Sequence, residues 1–147
     1  MSHSLVKIWV HAILGVKYRE NLINPKSEKL IYKILSREVS KTGCKLFAIG
    51  GTENHVHILI MLKSTVSISN VMKQVKGASS RMISRLKLCP QEFYWQIGYG
   101  AFSVSEKNVK GVIRYIKNQK IHHQQVSLHD ELKSIRAGQH SHSKTIN

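Results

Sequence analysis

With 147 residues, 41% hydrophobic content and only 2 prolines, the chain is long enough for one domain with a real core and too short to invite a second. Its 23 Lys and Arg against 8 Asp and Glu leave a formal charge of +15, far beyond what solubility needs, and the economical explanation is a polyanionic partner. An anionic membrane surface would also suit that charge, but the longest apolar runs, such as VHILIML, reach only about a third of a bilayer span.

MSHSLVKIWV at the start carries one lysine and no cleavable small-residue site, so no signal peptide is expected. SLVKIWVHAILGV then alternates as a strand, with Val6, Ile8, Val10 and Ala12 on one side and Lys7, Trp9 and His11 on the other. From Pro25 onward, Leu30, Ile31, Ile34, Leu35 and Val39 fall at helical spacing, and Gly43 stands just past the end. CKLFAIG and NHVHILIML read as two strands joined by GTE in an antiparallel hairpin. Val71, Met72, Val75, Met82, Ile83 and Leu86 mark a second helix, capped by Ser67 or Ser69. YWQIGYGAFSVS reads as a loop running into a short strand, and SEKNVKGVIRYIKNQKIHHQ as a closing helix with Val109, Val112, Ile113 and Ile116 inward. The order β-α-β-β-α-β-α predicts an α+β chain of ferredoxin-like (split β-α-β) type: an antiparallel sheet with helices on one face and a further C-terminal helix. One domain is expected over residues 1–135, followed by a disordered polar tail, 136–147, whose His140 and His142 are solvated. Cys44 and Cys89 lack CxxC or zinc-finger spacing and are expected to be reduced thiols in a cytoplasmic protein.

In the third strand, alternation places His55 and His57 side by side on one face. Two imidazoles in a strand of Val, Ile and Leu must each be satisfied, either by hydrogen bonds to the backbone or by a shared metal ion. The metal reading needs a third ligand. In YIKNQ, Tyr115 and Gln119 stand four residues apart, a turn from each other on a face other than the Val109/Val112/Ile116 stripe. Taken alone that is a solvated helix edge; combined with His55 and His57, Gln119 offers a carbonyl oxygen and brings a phenol to the same ion. Two imidazoles and an amide oxygen form a neutral triad that suits Mg²⁺ or Mn²⁺ acting on a phosphodiester, whereas zinc usually has a carboxylate or thiolate in its set. A tyrosine hydroxyl beside such a metal describes covalent strand transfer.

HVHIL and YIKNQ, together with VHAILGVKYRENLI, VKGASSRMI and FYWQIGYGAFSVS, closely resemble the HUH single-tyrosine transposases of small bacterial insertion sequences and the related repeat-associated tyrosine transposases. The likeness runs in register from about Lys7 to His123. It implies a ferredoxin-like fold, a divalent metal, single-stranded DNA with hairpins at the element ends as substrate, and a homodimer with active sites shared between subunits. Position by position, His55 and His57 match the family's metal-binding histidines, Tyr115 its nucleophile and Gln119 its third ligand. Attack by Tyr115 would leave a 5′-phosphotyrosine and a free 3′-hydroxyl, with no nucleotide cofactor needed for rejoining. Lys7, Lys17, Arg19, Lys73, Lys76 and Arg81 would then contact phosphates. One departure is visible: Asn54 stands where family members commonly carry Asp, and strand alternation points it away from the histidines.

Two other readings keep the histidines but change the chemistry. A non-catalytic single-stranded nucleic-acid-binding module shares this topology, yet such modules stack bases on aromatics of the central strands, where HVHIL has imidazoles. A two-histidine phosphoesterase would need a second His-x-Ser/Thr motif, and HSHS in the tail is where one occurs.

Overall fold

The computed structural model describes residues 3–122 and 127–136. In chain order it contains β1 (Trp9–Gly15), α1 (Glu28–Lys41), β2 (Lys45–Gly51), β3 (His55–Met61), α2 (Ile68–Arg85), β4 (Gly100–Val104), α3 (Val109–Lys117), α4 (Gln119–His122) and α5 (Leu128–Arg136). The four strands form one sheet in the order β2-β3-β1-β4, with every neighbouring pair antiparallel. This is the ferredoxin-like arrangement expected from the sequence.

Strand alternation divides the core in two. Val10, Ala12 and Leu14 of β1 and Val56, Ile58 and Ile60 of β3 face α1 and α2, where Ile31, Leu35, Val39, Val71, Met72 and Val75 complete the larger apolar cluster. The opposite face carries Trp9, Ala48 and Leu59, and α3 lies on it through Val112 and Ile116. The helix that carries Tyr115 therefore covers the face that carries His55 and His57.

Local signals act as the sequence suggests, with shifts at the ends. Ser67 caps α2 by accepting from the Asn70 amide at 3.2 Å. Asn24 accepts from the amides of Lys26 and Ser27, so Pro25 sits in a turn and α1 begins three residues after it, at Glu28. The closing helix is not continuous. Asn118 leaves helical geometry at φ −97° and ψ 16°, ending α3, and the chain resumes as the short α4. Nothing in the sequence reading anticipated α5, which Ser127 opens by accepting from the Asp130 amide at 3.3 Å. Apart from Arg136, the tail expected over 136–147 lies outside the described residues, and so do His140, His142 and the HSHS stretch.

One close approach seats α3. Gly50 of β2 lies beneath Ile116, and a Cβ at Gly50 would overlap the Ile116 carbonyl oxygen. Only a residue without a side chain lets the helix backbone settle onto the strand at that point. Gly50→Ala should therefore lower the unfolding free energy by about 1–3 kcal/mol through overpacking. Gly77→Ala should raise it by about 0.5–1 kcal/mol, because Gly77 is inside α2 and the nearest atom to a new Cβ is the mobile Arg81 guanidinium at 3.3 Å. Urea denaturation of the two variants checks the opposite signs.

Candidate active site

The two central strands set the rigid half of the site. His55 pairs with Gly15 and His57 with Ile13 across the β1–β3 ladder. The imidazole centroids of His55 and His57 lie 5.1 Å apart, and both rings are buried. His55 Nδ1 is 2.7 Å from Asn54 Oδ1 and 3.0 Å from Thr52 Oγ1. Asn54 thus supports the first histidine instead of pointing away from it. It belongs to the turn before β3, where strand alternation does not yet apply, and its side chain folds back onto the ring. His57 Nδ1 lies 2.8 Å from Nε2 of His11, a buried β1 residue that strand alternation sets on one side with Lys7 and Trp9 without relating that side to the histidines of β3.

The helices after β4 close the site. Tyr115 on α3 stands edge-on to three imidazoles, with centroid separations of 5.7 Å to His57, 5.9 Å to His11 and 5.2 Å to His122. Despite the break at Asn118, Gln119 keeps its relation to Tyr115: its Nε2 donates to the Tyr115 carbonyl at 3.4 Å, and its Oε1 is 3.3 Å from His55 Nε2. The face that these two residues share is not a solvated edge, since Tyr115 packs on the apolar α3–sheet cluster and Gln119 is fully buried.

Glu131 is the functional candidate that sequence reasoning missed. Its carboxylate reaches in from α5 to 3.4 Å from His57 Nε2 and 4.0 Å from His55 Nε2, and it accepts from Gln119 Nε2 at 3.4 Å. The signal was present: Ser127-x-x-Asp130 has the form of a capping box, and Leu128, Glu131, Leu132 and Ile135 recur at helical spacing, which sets a carboxylate on an apolar stripe. Burial pushes the Glu131 carboxyl up to about 8, and it pushes the His122 imidazole down.

These groups converge as a donor set. One atom each from His55, His57 and Glu131 lies within 4.8 Å of the others, and all three residues are buried. With Nδ1 of His55 donating to Asn54 Oδ1, Nε2 turns its lone pair toward Gln119 Oε1 and Glu131. Several acceptors facing one point repel unless a proton or a cation sits among them, and two imidazoles with a carboxylate are a common ligand set for divalent metals. The residues present therefore fit a divalent ion. The neutral triad expected from sequence gains a negative ligand, so the absence of a carboxylate no longer argues against zinc.

The basic residues expected to meet phosphate do not form one surface. Lys7 lies beyond the Trp9 end of β1, the end away from His55, where its ammonium pairs with Glu106 at 3.3 Å. Lys17 stands 5.3 Å from the Tyr18 ring centroid and 5.5 Å from that of Tyr94. Lys17, Tyr18 and Arg19 line an open cavity of about 560 Å³ with Gln96 and Ile97, where Tyr18 is 81% and Ile97 94% exposed. Tyr18 and Arg19 both hold left-handed backbone, at φ 59° and 53°, a conformation costly for residues with side chains. Lys76 donates to the Gln96 and Gly98 carbonyls at 2.8 and 2.6 Å, so its ammonium fastens this loop. Lys73 and Arg81 are exposed on α2.

The sequence matches the Transposase IS200 like family over residues 4–119. It is 25% identical over 125 residues to the transposase for insertion sequence element IS200 of Salmonella typhimurium, covering 81% of each chain. It is also 25% identical over 114 residues to the ISDra2 transposase TnpA of Deinococcus radiodurans, covering 74% of this chain and 81% of the relative. Among solved structures, a Deinococcus radiodurans protein assigned as a transposase superposes with a TM-score of 0.64 at 27% identity, over 79% of this chain and 93% of that one. A REP-associated tyrosine transposase bound to a REP hairpin gives 0.65 over 99% of this chain and 90% of the other, at 11% identity, a likeness of fold. With the family matched over most of its length and the fold shared, this chain belongs to the IS200-like transposase family.

Proposed function

We propose that this protein is a metal-dependent single-strand DNA transposase that cuts and rejoins DNA through Tyr115. The observation that carries the proposal is the placement of the Tyr115 ring 5.7 Å from His57, over the buried convergence of His55, His57, Gln119 and Glu131. His55 and His57 would hold the ion with Glu131, and Gln119, whose Oε1 is 3.3 Å from His55 Nε2, would supply a further oxygen ligand; Mg²⁺ and Mn²⁺ fit the reading. A divalent ion bound there supplies Lewis-acid polarisation of the scissile phosphate. Tyr115 contributes the nucleophile: its phenolic oxygen bonds to phosphorus, the bond to the 3′ oxygen breaks, and that oxygen takes up a proton to become a 3′-hydroxyl. The phenol's own proton passes to solvent. The product is a 5′-phosphotyrosine, and attack by another 3′-hydroxyl reverses the step without a nucleotide cofactor. A phenol of pKa near 10 is a weak nucleophile at neutral pH, so a divalent charge held by His55, His57 and Glu131 would have to favour the phenolate in the transition state.

The substrate proposed is single-stranded DNA with hairpins at element ends. Lys17 and Arg19, beside the exposed Tyr18 and Ile97, support this, because cationic groups interleaved with exposed flat or apolar side chains suit a nucleic-acid backbone and its unpaired bases. This patch begins next to the metal ligands in the fold, since the Gln96 amide donates to the carbonyl of Gly15, the ladder partner of His55. Lys7 and Lys76 are engaged with Glu106 and the 96–98 loop and are the weaker candidates among the six. A non-catalytic base-stacking module is disfavoured because α3 lies across the sheet face that would have to stack bases. A homodimer with shared sites remains part of the proposal. In the single chain, Tyr115 lies over its own chain's histidines, so sharing requires α3 to leave its own sheet.

Tyr115→Phe should bind a hairpin oligonucleotide and form no detergent-stable protein–DNA adduct on denaturing gels, while the parent chain forms one through the DNA 5′ end; an adduct that persists in Tyr115→Phe sinks the assignment. Mixing Tyr115→Phe with His57→Ala protein, with subunit exchange demonstrated, should restore cleavage if sites are shared. Two variants that stay inactive together mean that each site is built within one chain. Adding Mn²⁺ without DNA should raise the Tm of the parent by several degrees, as about 2.7 kcal/mol of linkage at 100 times Kd requires, and Glu131→Gln should lose most of that rise. Equal rises in differential scanning calorimetry would remove Glu131 from the ligand set.

A further inference from the structure

We propose that His11 is a positioning residue for the metal centre: its Nε2 accepts the Nδ1–H of His57 and holds that imidazole in the tautomer and orientation that present Nε2 to the ion. The inference rests on the metal reading given above and concerns a residue outside the ligand set. Three observations carry it. His11 Nε2 and His57 Nδ1 are 2.8 Å apart, a good hydrogen-bond length, and both rings are at most 1% exposed. The contact is built by register: His11 pairs with Leu59 and Ile13 with His57, so the two imidazoles are diagonal neighbours on one face of the two central strands. Finally, the arrangement repeats the support given to His55, whose Nδ1 is met by Asn54 Oδ1 at 2.7 Å. Each histidine thus has Nδ1 engaged behind it and Nε2 toward Glu131.

The direction of the His11–His57 bond decides its role. If His11 donated, the neutral His57 would carry its proton on Nε2, facing Glu131 Oε1 at 3.4 Å, and could not ligate through that atom. When His57 donates, its Nε2 lone pair is exposed to the ion and His11 must keep Nε2 unprotonated. An apolar residue would fill the space between Trp9 and Ile13 and leave the second half of this pairing undone. His11 also meets the Tyr115 ring edge-on at 5.9 Å, so the same side chain backs the ligand and the proposed nucleophile.

Two variants separate the hydrogen bond from the packing. His11→Phe keeps a ring against Tyr115 and Phe102 but has no acceptor; His11→Gln loses the ring and can bring Oε1 to the position of Nε2. Mn²⁺ binding is read by electron paramagnetic resonance of the free ion, without DNA and independent of turnover, on proteins whose folding is confirmed by thermal melts. His11→Phe should bind Mn²⁺ about 10–100-fold more weakly than the parent, and His11→Gln within about threefold of it. Unchanged affinity in His11→Phe, or a loss in His11→Gln as large as in His11→Phe, overturns the proposal. Should His11→Phe not fold, nitrogen-15 shifts of the Mg²⁺-loaded parent decide: a proton on Nδ1 of His57 and none on Nε2 of either ring supports the proposal, and a proton on His57 Nε2 overturns it. A parent chain that binds no Mn²⁺ defeats the metal reading and this inference together, whereas binding that is insensitive to His11→Phe defeats only the inference.

Discussion

Five polar side chains, His11, His55, His57, Gln119 and Glu131, are buried together between an apolar sheet face and the helices that cover it, and the rest of this fold answers to that burial. Each of these groups, left alone away from water, would cost on the order of 1–3 kcal/mol, and the carboxylate more. They are tolerable only as a set. Glu131 needs the imidazoles or a cation, Gln119 bridges the Tyr115 carbonyl, His55 and the carboxylate, and the two strand histidines need their Nδ1 partners. A set of that kind stabilises the fold only when every member is in place, which makes it a device for specifying geometry more than for gaining free energy.

Rigidity and mobility are divided between the sheet and the helices. The histidines sit on β1 and β3, the two central strands, where ladder hydrogen bonds on both sides fix the backbone. Their supporting groups come from the same sheet or from the turn leading into it. The proposed nucleophile and the other proposed ligands come from α3, α4 and α5, which reach the site from outside. Closure depends on small features: the absence of a side chain at Gly50, the helix break at Asn118 and the Ser127 cap.

The sheet and its faces were legible in the sequence because strand alternation is a local rule that tertiary packing had no reason to override. The placement of His55 beside His57 follows from period alone, and that of Tyr115 a turn from Gln119 follows from period although the helix breaks between them at Asn118. What was not legible came from elsewhere in the chain. Glu131 lies well beyond Gln119 in sequence, and its capping box announces a helix without saying where that helix docks. Alternation groups His11 with Lys7 and Trp9, but that this side is the one carrying His57, and that the two rings pair, depends on β1–β3 register, which alternation does not supply. Asn54 was misread because the strand begins one residue later than the rule assumed. Lys76 shows the limit of reading charge: the same ammonium that suits a phosphate is spent on two carbonyls of a loop, and sequence gives no sign of the choice.

The two faces of the sheet are unequal in a way that bears on catalysis. Among the described residues, twenty buried apolar side chains join the sheet to α1, α2 and the adjoining loops, whereas five join it to α3, namely Trp9, Ala48, Leu59, Val112 and Ile116. Apolar burial is the main source of local stability, so α3 is held by a small fraction of what holds the rest. The polar set beneath it adds direction without much adhesion, since its members are satisfied by one another as well as by the helix. On the proposed mechanism, a tyrosine esterified to DNA would later have to make room for a second attacking hydroxyl, and a lightly anchored helix over the rigid strand pair that carries His55 and His57 would meet that need. The same asymmetry is what exchange of α3 between two subunits would require: the helix can part from its sheet while the larger core, and with it the positions of His55 and His57, stays intact.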